Sequence, residues 1–490
     1  MRKAVITSSV LSLAAIGLLA GCPDRTISEV NPEQGRVEFK DIPVNINRNV
    51  DILFVVDDSG SMADKQQNLK DNFPKFIDVL NTIQGGLPDI HLGVVSSDVG
   101  VKGEDDAAPG TAVGTVGNGG CAASGKGGNL QLGAATGSVQ GTFISDIKQP
   151  DNSRVTNYTG DLAQVFGQMA SLGATGCGFE QHLAAMRKAL DNNPANATFL
   201  RPDAFLAVIF LADEDDCSMA HSSLLGGGDP DPALGPKQSF RCTRFGVTCD
   251  VGGQTDTAMN QLGPKDQCHP NDASQFLQKV QKYVEFLKAL KGDPSKVIVA
   301  GIIGITDPPP TPFAVEDRTV NMVTSRALAH SCTYDPDNNP MTPNQVADPP
   351  TRLQFFLDQF PNRSTSTTIC QQDLSGGLQL IAQLLKAAIG DPCIEGTLAD
   401  VDPNTPGDQF DCQVSYVNNF GKPNAVETVL PECDAGLTTK PCWHLILDRT
   451  KCPDPAPPAP PISGLVLKIE DPNTAPEGTH IIANCVTKAI

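Results

Sequence analysis

Four uninterrupted apolar runs stand out along the chain and predict the strands of a central sheet. They are Ile52 to Val56, Leu92 to Val95, Phe205 to Leu211 and Val297 to Ile305. None of them alternates apolar with polar residues, as a strand with one solvent-exposed face would. Continuous apolarity is typical of strands that are covered on both faces, so these runs favour a parallel sheet.

Apolar residues at three- and four-residue steps lie between and after these runs and predict amphipathic helices. The sets are Leu69, Phe73, Phe76, Leu80 and Ile83; Phe179, Leu183, Met186 and Leu190; Phe276, Val280, Tyr283 and Leu287; and Leu374, Leu378, Ile381, Leu385 and Ala388. Pro74 lies inside the first set and is expected to kink that helix. Strands alternating with helices predict a doubly wound, mostly parallel α/β fold, in which ligands bind at the carboxyl ends of the strands.

Long insertions and a tail interrupt this alternation. The insertions cover residues 100–141, which are rich in glycine, 213–271 and 306–350, which are rich in aspartate and proline. Loops of such length are usually functional or disordered. Residues 393–490 carry several cysteines and three strand-like runs, Trp443 to Leu447, Leu465 to Ile469 and His480 to Ala483. We therefore expect one large domain over residues 48–392 and a small disulfide-rich β module after it.

The N-terminus has the features of an export signal. A basic start is followed by an apolar run from Val10 to Ala20, so residues 1–21 are expected to be a signal peptide. The tetrapeptide that ends at Cys22 resembles the bacterial lipobox, which implies that Cys22 carries a lipid and becomes the mature N-terminus. An ordinary signal with a chance cysteine is the alternative, and a membrane-spanning helix would need roughly 20 apolar residues. Residues 22–47 are expected to be a tether, and the outer membrane of a bacterial cell envelope is the expected location.

Cysteine number and charge narrow the class of protein further. Of the 15 cysteines, Cys22 is expected to bear the lipid, and the remaining even number allows complete pairing in an oxidising compartment. The 36 basic and 56 acidic residues give a net charge of −20. So acidic a chain disfavours nucleic acid as a partner and favours divalent cations. The lipid is the expected contact with the membrane.

A short acidic and hydroxylic motif follows the first predicted strand. Asp57, Ser59 and Ser61 are spaced by two residues in the sequence DDSGSM, with Gly60 between the serines. This D-x-S-x-S pattern resembles the metal-ion-dependent adhesion site of von Willebrand factor type A (VWA) domains. The resemblance covers residues 48–392 with the insertions set aside, and it implies a doubly wound fold and a divalent metal site.

The chemistry of these residues suits a hard cation such as Mg²⁺, with Mn²⁺ or Ca²⁺ as alternatives. Hard divalent cations prefer oxygen ligands, and serine hydroxyls supply oxygen without charge. A cation held mainly by hydroxyls keeps enough positive charge to attract a carboxylate from outside. Gly60 is expected to let the backbone turn closely. The acidic group of a protein or of a surface polymer is the expected partner.

The resemblance implies two more ligands, an aspartate after a central strand and a threonine before a helix. Asp213 follows the third predicted strand and fits the aspartate. Thr175, in the sequence GATGCGFEQHL, is the tentative threonine, although the usual family spacing counted back from Leu183 reaches Cys177, so that this ligand is either displaced or lost. Asp58, Asp215 and Asp216 are expected to be solvated charges near the rim.

Three functions were weighed against these patterns. The first is a lipid-anchored VWA protein that binds its partner through the metal, and the second is a structural envelope protein in which the metal stiffens loops. A hydrolase would need a base beside a nucleophile, and no motif supplies that pair. The glycine-rich sequence GCAASGKG around Lys126 lacks the Ser or Thr of a phosphate-binding loop. We therefore expect a binding protein and not an enzyme.

Overall fold

The computed structural model describes most of the chain after its first 36 residues. The described ranges are 37–43, 48–83, 86–306, 309–320, 322–336, 344–390, 392–394, 396–400, 409–419, 424–434, 436–449, 452, 463–470, 475 and 479–488. The signal peptide and Cys22 lie outside these residues, so the lipid anchor stays a prediction. In the described part, no helix is long and apolar enough to cross a membrane.

A sheet of seven strands, most of them parallel, forms the centre of the fold. In chain order these strands are β2 (Asn49–Val56), β3 (Asp89–Ser96), β4 (Ile144–Lys148), β5 (Arg154–Thr156), β6 (Phe205–Leu211), β9 (Val297–Ile303) and β14 (Ser364–Thr368). Their spatial order is β14-β9-β6-β2-β3-β4-β5. Neighbours from β14 to β3 are parallel, whereas β4 and β5 are antiparallel. The four predicted apolar strands are confirmed and lie together in the middle of the sheet.

Helices cover both faces of this sheet. The helices of the described chain are α1 (Ala63–Asn81), α2 (Leu162–Ala170), α3 (His182–Leu190), α4 (Phe240–Gly246), α5 (Asp256–Met259), α6 (Val280–Leu290), α7 (Thr351–Asp358) and α8 (Ser375–Gly390). Phe54 of β2 points to a core shared with α1, α2 and α8, while Leu53 and Val55 point to a core shared with α3, α6 and α7. The result is a mixed α/β fold, and the absence of alternation in β2 follows from burial on both sides.

Aromatic packing fixes α1 and α2 against the sheet. The ring of Phe73 stacks on that of Phe166 with centroids 3.7 Å apart, and Phe54 lies 4.7 Å from Phe166. All three side chains are fully buried. Helix α1 runs through Pro74 without interruption, so the expected kink does not end the helix. This core holds the start of α1 at a fixed place beside the end of β2.

Two predicted helices begin later than their apolar pattern. Helix α3 starts at His182 and α6 at Val280, whereas the patterns begin at Phe179 and Phe276. The carbonyl of Phe276 accepts the backbone N–H of Ala220, because this segment pairs with the long insertion after β6. Tertiary pairing therefore replaces the first helical turn, which is a common outcome where local propensity is weak.

The insertions form structure of their own and are joined by disulfides. A second sheet has the order β11-β10-β8-β7 and consists of β7 (Val247–Val251), β8 (Gly263–Pro270), β10 (Phe313–Val320) and β11 (Val323–Leu328). Strands β12 (Cys332–Tyr334) and β13 (Gln345–Ala347) form a small hairpin. The expected pairing of cysteines is confirmed: the disulfides are Cys121–Cys177, Cys217–Cys242, Cys249–Cys268, Cys332–Cys370, Cys393–Cys452, Cys412–Cys485 and Cys433–Cys442.

The C-terminal part is built from β-strands, as the sequence predicts. Its strands are β15 (Cys412–Asn418), β16 (Val426–Leu430), β17 (Cys442–Leu447), β18 (Leu465–Glu470) and β19 (His480–Val486). The sheet order β1-β19-β15-β16 also contains β1 (Val37–Pro43), which runs antiparallel to β19. Part of the segment expected to be a tether is therefore a paired strand, because an extended segment can satisfy its backbone groups on the free edge of β19.

A buried ion network holds the amino ends of the central strands. Asp51 of β2 is fully buried and accepts from Arg201 Nε at 2.8 Å and from Lys291 Nζ at 3.2 Å. Arg201 Nη2 also donates to the backbone carbonyls of Val50 and Asp89, at 2.9 Å each. One carboxylate thus joins β2 to the segments that follow α3 and α6.

We expect Asp51→Asn to destabilise the protein by about 3 kcal/mol, because removing one partner of a buried pair leaves its cations without compensation. Denaturant unfolding followed by circular dichroism measures the change. The control is Asp78→Asn on α1, whose ion pair with Lys75 is exposed and whose loss should cost less than about 0.5 kcal/mol. Equal stability of Asp51→Asn and Asp78→Asn would contradict the importance of this network.

Candidate metal centre

The predicted ligands come together at the carboxyl ends of two neighbouring parallel strands. Val56 of β2 pairs with Leu211 of β6, and the backbone N–H of Asp57 donates to the carbonyl of Leu211 at 3.0 Å. Asp213 follows Leu211 by two residues and is therefore held beside Asp57. Parallel strands direct their next residues to the same edge of a sheet, so register alone fixes this meeting of the two carboxylates.

The two serines lie in the loop between β2 and α1. The backbone N–H of Ser59 donates to Asp57 Oδ1 at 2.7 Å, and the Oγ atoms of Ser59 and Ser61 are 3.3 Å apart. This hydrogen bond folds the loop back on its first residue, so the two hydroxyls are presented side by side. No atom lies within 4 Å of the place where a Cβ of Gly60 would be, so the close approach expected at Gly60 is not required.

Two carboxylate oxygens at this place have no hydrogen-bond partner among the residues that the structure describes. They are Asp57 Oδ2 and Asp213 Oδ1, both fully buried. Burying a carboxylate oxygen without a partner costs free energy of folding, so a bound cation or water is the expected partner of such an oxygen. Together with the hydroxyls of Ser59 and Ser61, these atoms form an all-oxygen donor set of the kind that Mg²⁺ prefers. The residues present therefore fit a hard divalent cation.

His182 does not neutralise Asp57, although it lies nearby. Its Nε2 is 3.9 Å from Asp57 Oδ2, which is too long for a hydrogen bond. Burial lowers the pKa of His182 to about 4, so its ring is neutral at pH 7. Asp57 Oδ2 thus gains no positive partner from the start of α3.

Two further carboxyl groups surround the site, and the sequence did not single them out. Burial, with the nearby charges of Glu214 and Asp57, raises the pKa of Glu180 well above its usual range. Burial and the charges of Asp348 and Asp213 raise the pKa of Glu214 to about 8. Burial and then the charge of Asp213 raise the pKa of Asp57. The site therefore concentrates acidic groups in a medium of low dielectric, which a bound cation would relieve.

Lys65 supplies a positive charge inside this acidic cluster. Its Nζ lies 3.0 Å from Asp213 Oδ2 and donates to the backbone carbonyl of Ser61 at 2.9 Å. The side chain is 2% exposed. Lys65 thus ties the serine loop to Asp213, and it brings a cation of the chain itself to the edge of the proposed donor set.

Thr175 is placed differently from the other predicted ligands. It is exposed, and it lies in a loop whose Gly176 N–H donates to the carbonyl of Asp58 at 2.7 Å. Glu180, five positions later, is 1% exposed. It is close enough to Asp57 and Asp213 for their negative charges to raise its pKa. Thr175 as a ligand stays a prediction, while burial makes Glu180 a competing donor. The only available signal was that Glu180 is the single acidic residue in the sequence GATGCGFEQHL.

The sequence suggested that the remaining acidic residues of the two loops are solvated charges. The structure shows that they are not. Asp58, Asp215 and Asp216 are all buried. Asp58 accepts from Ser96 Oγ at 2.8 Å and from Lys126 Nζ. Lys126 of the glycine-rich insertion therefore binds a carboxylate of the chain, which gives that sequence a structural role.

Asp215 and Asp216 fix the starts of two helices. Asp215 accepts the backbone N–H groups of Arg352 and Leu353 at the start of α7, at 2.9 and 3.1 Å. Asp216 accepts the N–H of Leu183 at 2.9 Å in α3 and pairs with the buried guanidinium of Arg352 at 3.1 Å. Carboxylates at helix amino ends are stabilised by the helix dipole. The acidic run after Asp213 therefore positions the helices around the site.

Disulfides hold the two loops that carry these residues. Cys121–Cys177 joins the glycine-rich insertion to the loop before Glu180, and Cys217–Cys242 joins the loop after Asp213 to α4. These cysteines pack in one buried cluster with Phe179 and other apolar side chains. The loops are thus fixed both by apolar packing and by covalent bonds.

Among the described residues, no group of three or more His, Cys, Asp and Glu side chains is arranged to hold a metal ion. The four candidate donors are instead two carboxylates and two serine hydroxyls. The oxygens of Asp57 and Asp213 without partners carry the argument for a cation at this site.

Comparisons with known proteins leave the family of this chain open. No family model matches, and no curated protein matches. Among solved structures, the pilus adhesin RrgA from Streptococcus pneumoniae is similar over 93% of this chain and 58% of its own, at 10% identity and a TM-score of 0.21. The chain thus aligns with somewhat more than half of that adhesin. A likeness of this size does not establish a common fold or function.

We expect Lys65→Met to strengthen the binding of Mg²⁺ at least about tenfold, because unit charges about 4 Å apart repel by about 4 kcal/mol near a protein surface. The measurement is thermal unfolding with Mg²⁺ or EDTA. The variant should melt below the wild type in EDTA, since Asp213 loses its cation, and should gain more from Mg²⁺. Lys75→Met, exposed on the same helix, is the control. If Mg²⁺ raised the melting temperature of both variants equally, the idea that Lys65 opposes Mg²⁺ binding would be wrong.

Proposed function

We propose that this chain is a lipid-anchored cell-envelope protein with a doubly wound VWA domain, whose adhesion-type site binds a divalent metal and, through it, an acidic group of a partner. The observation that carries the proposal is the meeting of Asp57 Oδ2 and Asp213 Oδ1, both buried without hydrogen-bond partners, beside the serine hydroxyls. The order of the parallel strands supports the doubly wound arrangement.

The roles of the residues follow from their charge and place. Ser59 and Ser61 would hold the ion through neutral oxygens, with Asp57 and Asp213 as its charged partners. The bound metal would supply a positive centre for a carboxylate from outside. Lys65 orients Asp213 and links it to the serine loop at 3.0 and 2.9 Å. This arrangement supports binding of a partner.

The alternative function is a structural envelope protein in which the metal only stabilises the loops. The many disulfides of the insertions and of the C-terminal strands favour a rigid, durable protein in either case. The two functions differ in one respect. Metal removal from a binding protein should abolish retention of an acidic partner, whereas removal from a structural protein should change stability alone.

We expect Mg²⁺ to raise the melting temperature of the mature chain and Asp213→Ala to remove that gain, since a ligand at 100 times its Kd stabilises by about 2.7 kcal/mol. Titration with Mg²⁺, Mn²⁺ and Ca²⁺ ranks the ions. The control is Asp71→Ala, an exposed carboxylate on α1, which should keep the gain. An unchanged gain in Asp213→Ala would contradict the site.

Retention on a carboxylated dextran surface, with Mg²⁺ or with EDTA, separates the two functions. We expect retention with Mg²⁺ that is lost in EDTA and in Asp57→Ala. Equal retention of the wild type in Mg²⁺, the wild type in EDTA and Asp57→Ala would contradict metal-dependent binding and favour the structural alternative.

We expect Glu180→Gln to weaken Mg²⁺ binding by about tenfold or more, while Thr175→Ala changes it by less than about 0.5 kcal/mol, as exposed substitutions usually do. Glutamine keeps the shape of Glu180 but cannot ionise, so it cannot offer a carboxylate to the cation. Isothermal titration of the two variants with Mg²⁺ provides the comparison. The reverse result would restore Thr175 as the fifth ligand.

A further inference from the structure

A cavity of about 780 Å³ lies beside strand β14 of the central sheet, and none of the candidate metal donors lines it. Ser366, Thr367 and Thr368 of β14 form one side of the cavity. β14 is a terminal strand of the sheet, so it pairs with β9 on one side and with no described strand on the other. All its residues are partly exposed. The cavity therefore opens on a free edge of the sheet.

The register of β14 on β9 identifies the backbone groups at this edge. The backbone N–H of Val299 in β9 donates to the carbonyl of Arg363, directly before β14. In a parallel ladder, every second residue of a strand bonds to a given neighbour. The odd-numbered residues of β14 therefore bond to β9, while Ser366 and Thr368 direct their N–H and C=O groups outwards. Both residues line the cavity, so it presents donors and acceptors that a further strand could use.

Apolar side chains stand on both faces of the sheet at this edge. Leu380 of α8 is 53% exposed, Phe355 of α7 is half-buried, and both line the cavity. Helices α8 and α7 cover opposite faces of the sheet. Successive side chains of a strand also point to opposite faces. A strand added to β14 thus places one set of its side chains on Leu380 and the other set on Phe355.

The volume of the cavity agrees with a short strand. The rise of a strand, the distance between strands and the distance between packed sheets together give about 160 Å³ per residue. A cavity of about 780 Å³ therefore holds about five residues, and β14 itself has five. A whole helix, about 10 Å wide, needs more room than one strand position between α7 and α8 provides.

The other walls of the cavity leave the strand edge available. They include Pro309 and Pro310 after β9 and Pro349 and Pro350 before α7. Proline has no backbone N–H, so these residues cannot satisfy the outward carbonyls of β14. The edge is enclosed by walls and is not paired by them.

The exposed charges of the cavity are acidic. Asp266 of β8 and Asp358 of α7 are exposed carboxylates in its lining, and β8 lies against α7. Lys265 also belongs to the lining but is only 7% exposed, and its Nζ donates to the carbonyls of Ala258 and Gln261 at 3.1 and 2.7 Å. The α7 side of the cavity therefore attracts basic side chains.

We propose that β14 accepts a basic, extended segment of a partner protein as an additional strand of the central sheet. Apolar side chains of this segment lie on Leu380, and Lys or Arg side chains alternate with them and pass over Phe355 to Asp266 and Asp358. Backbone pairing supplies affinity, and the alternate side chains supply specificity. The inference goes beyond the proposed function and does not depend on the metal centre.

A second copy of this chain is a less suitable occupant than a basic segment. The edge strand itself has the sequence STSTT, which carries no positive charge. Pairing of two β14 edges would leave Asp266 and Asp358 of both copies without a basic partner in the added strand. Charge complementarity therefore favours a different protein.

Fluorescence anisotropy with labelled peptides tests the proposal on the wild-type chain. The probe is a short peptide in which lysine alternates with valine. One comparison peptide is methylated at its backbone nitrogens, and the other has glutamate in place of lysine. We expect both comparison peptides to bind at least about tenfold more weakly, the first because it lacks the N–H donors of a ladder and the second because its charge opposes the two carboxylates.

Ser366→Pro and Ser366→Ala separate the roles of main chain and side chain. The N–H of Ser366 faces outwards, so proline at this place removes an edge donor and leaves the bonds to β9. We expect Ser366→Pro to weaken binding of the lysine peptide at least about tenfold and Ser366→Ala to keep it. Circular dichroism verifies that both variants are folded.

Asp358→Asn tests the charge, and we expect it to weaken binding about threefold, as loss of an exposed ion pair does. Asp71→Asn is the matched control and should leave binding unchanged. Each of these carboxylates is exposed on a helix and accepts from the glutamine four positions earlier, at 2.7 Å.

Three results would overturn the added strand: no binding of the lysine peptide, equal binding of the methylated peptide, or unchanged binding to folded Ser366→Pro. Equal binding of the lysine and glutamate peptides would overturn the basic partner. Sedimentation at rising protein concentration examines the second copy. A dimer that Ser366→Pro abolishes would assign the edge to self-association and overturn the proposal as well. The gain in melting temperature with Mg²⁺ reports on the metal centre separately.

Discussion

Carboxylates gathered at the ends of two buried strands impose the main constraint on this structure. Asp57 and Asp213 are placed by the register of β2 and β6, and neither can move away without breaking the pairing of the sheet. Their charges repel in a medium where water does not screen them. Burial raises the pKa of Asp57 and of Glu180 for the same reason. The surrounding loops can therefore be understood as the means by which this charge is compensated.

The negative charges of these carboxylates are compensated to different degrees within the protein. Asp58, Asp215 and Asp216 each have their oxygens bound by lysine, serine, arginine or backbone N–H groups. Those acidic residues fix α3, α7 and the glycine-rich insertion. Asp57 Oδ2 and Asp213 Oδ1 differ from them, because both are buried and lack a partner. The two short acidic sequences, after β2 and after β6, thus contain both carboxylates that hold the fold and carboxylates with an oxygen that lacks a partner.

The sequence predicted what depends on local pattern and missed what depends on distant contacts. The apolar runs identified β2, β3, β6 and β9, since burial on both faces leaves a direct trace in composition. The D-x-S-x-S motif identified the serine loop, because its three residues lie within five positions of the chain. Asp213 required one further step, namely that neighbouring parallel strands end at the same edge.

Other features left no comparable trace. Lys65 looks like any polar residue on an amphipathic helix, and its burial against Asp213 depends on the loop that follows β6. The second sheet was missed because its strands lie in segments rich in Pro, Gly and Asp, where strand propensity is low. Strand β1 was taken as a tether because its edge pairing depends on β19, which lies at the other end of the chain.

Charge balance also relates the insertions to the central site. Asp213 and Glu214 line the same cavity as Arg318 and Arg326 of the second sheet. Each arginine has an acidic partner within its own hairpin, Glu316 for Arg318 and Asp317 for Arg326. The charge of each arginine is therefore balanced within its own hairpin, whereas Asp213 pairs with Lys65 of α1. The second sheet thus lines the same cavity without compensating the charge of Asp213.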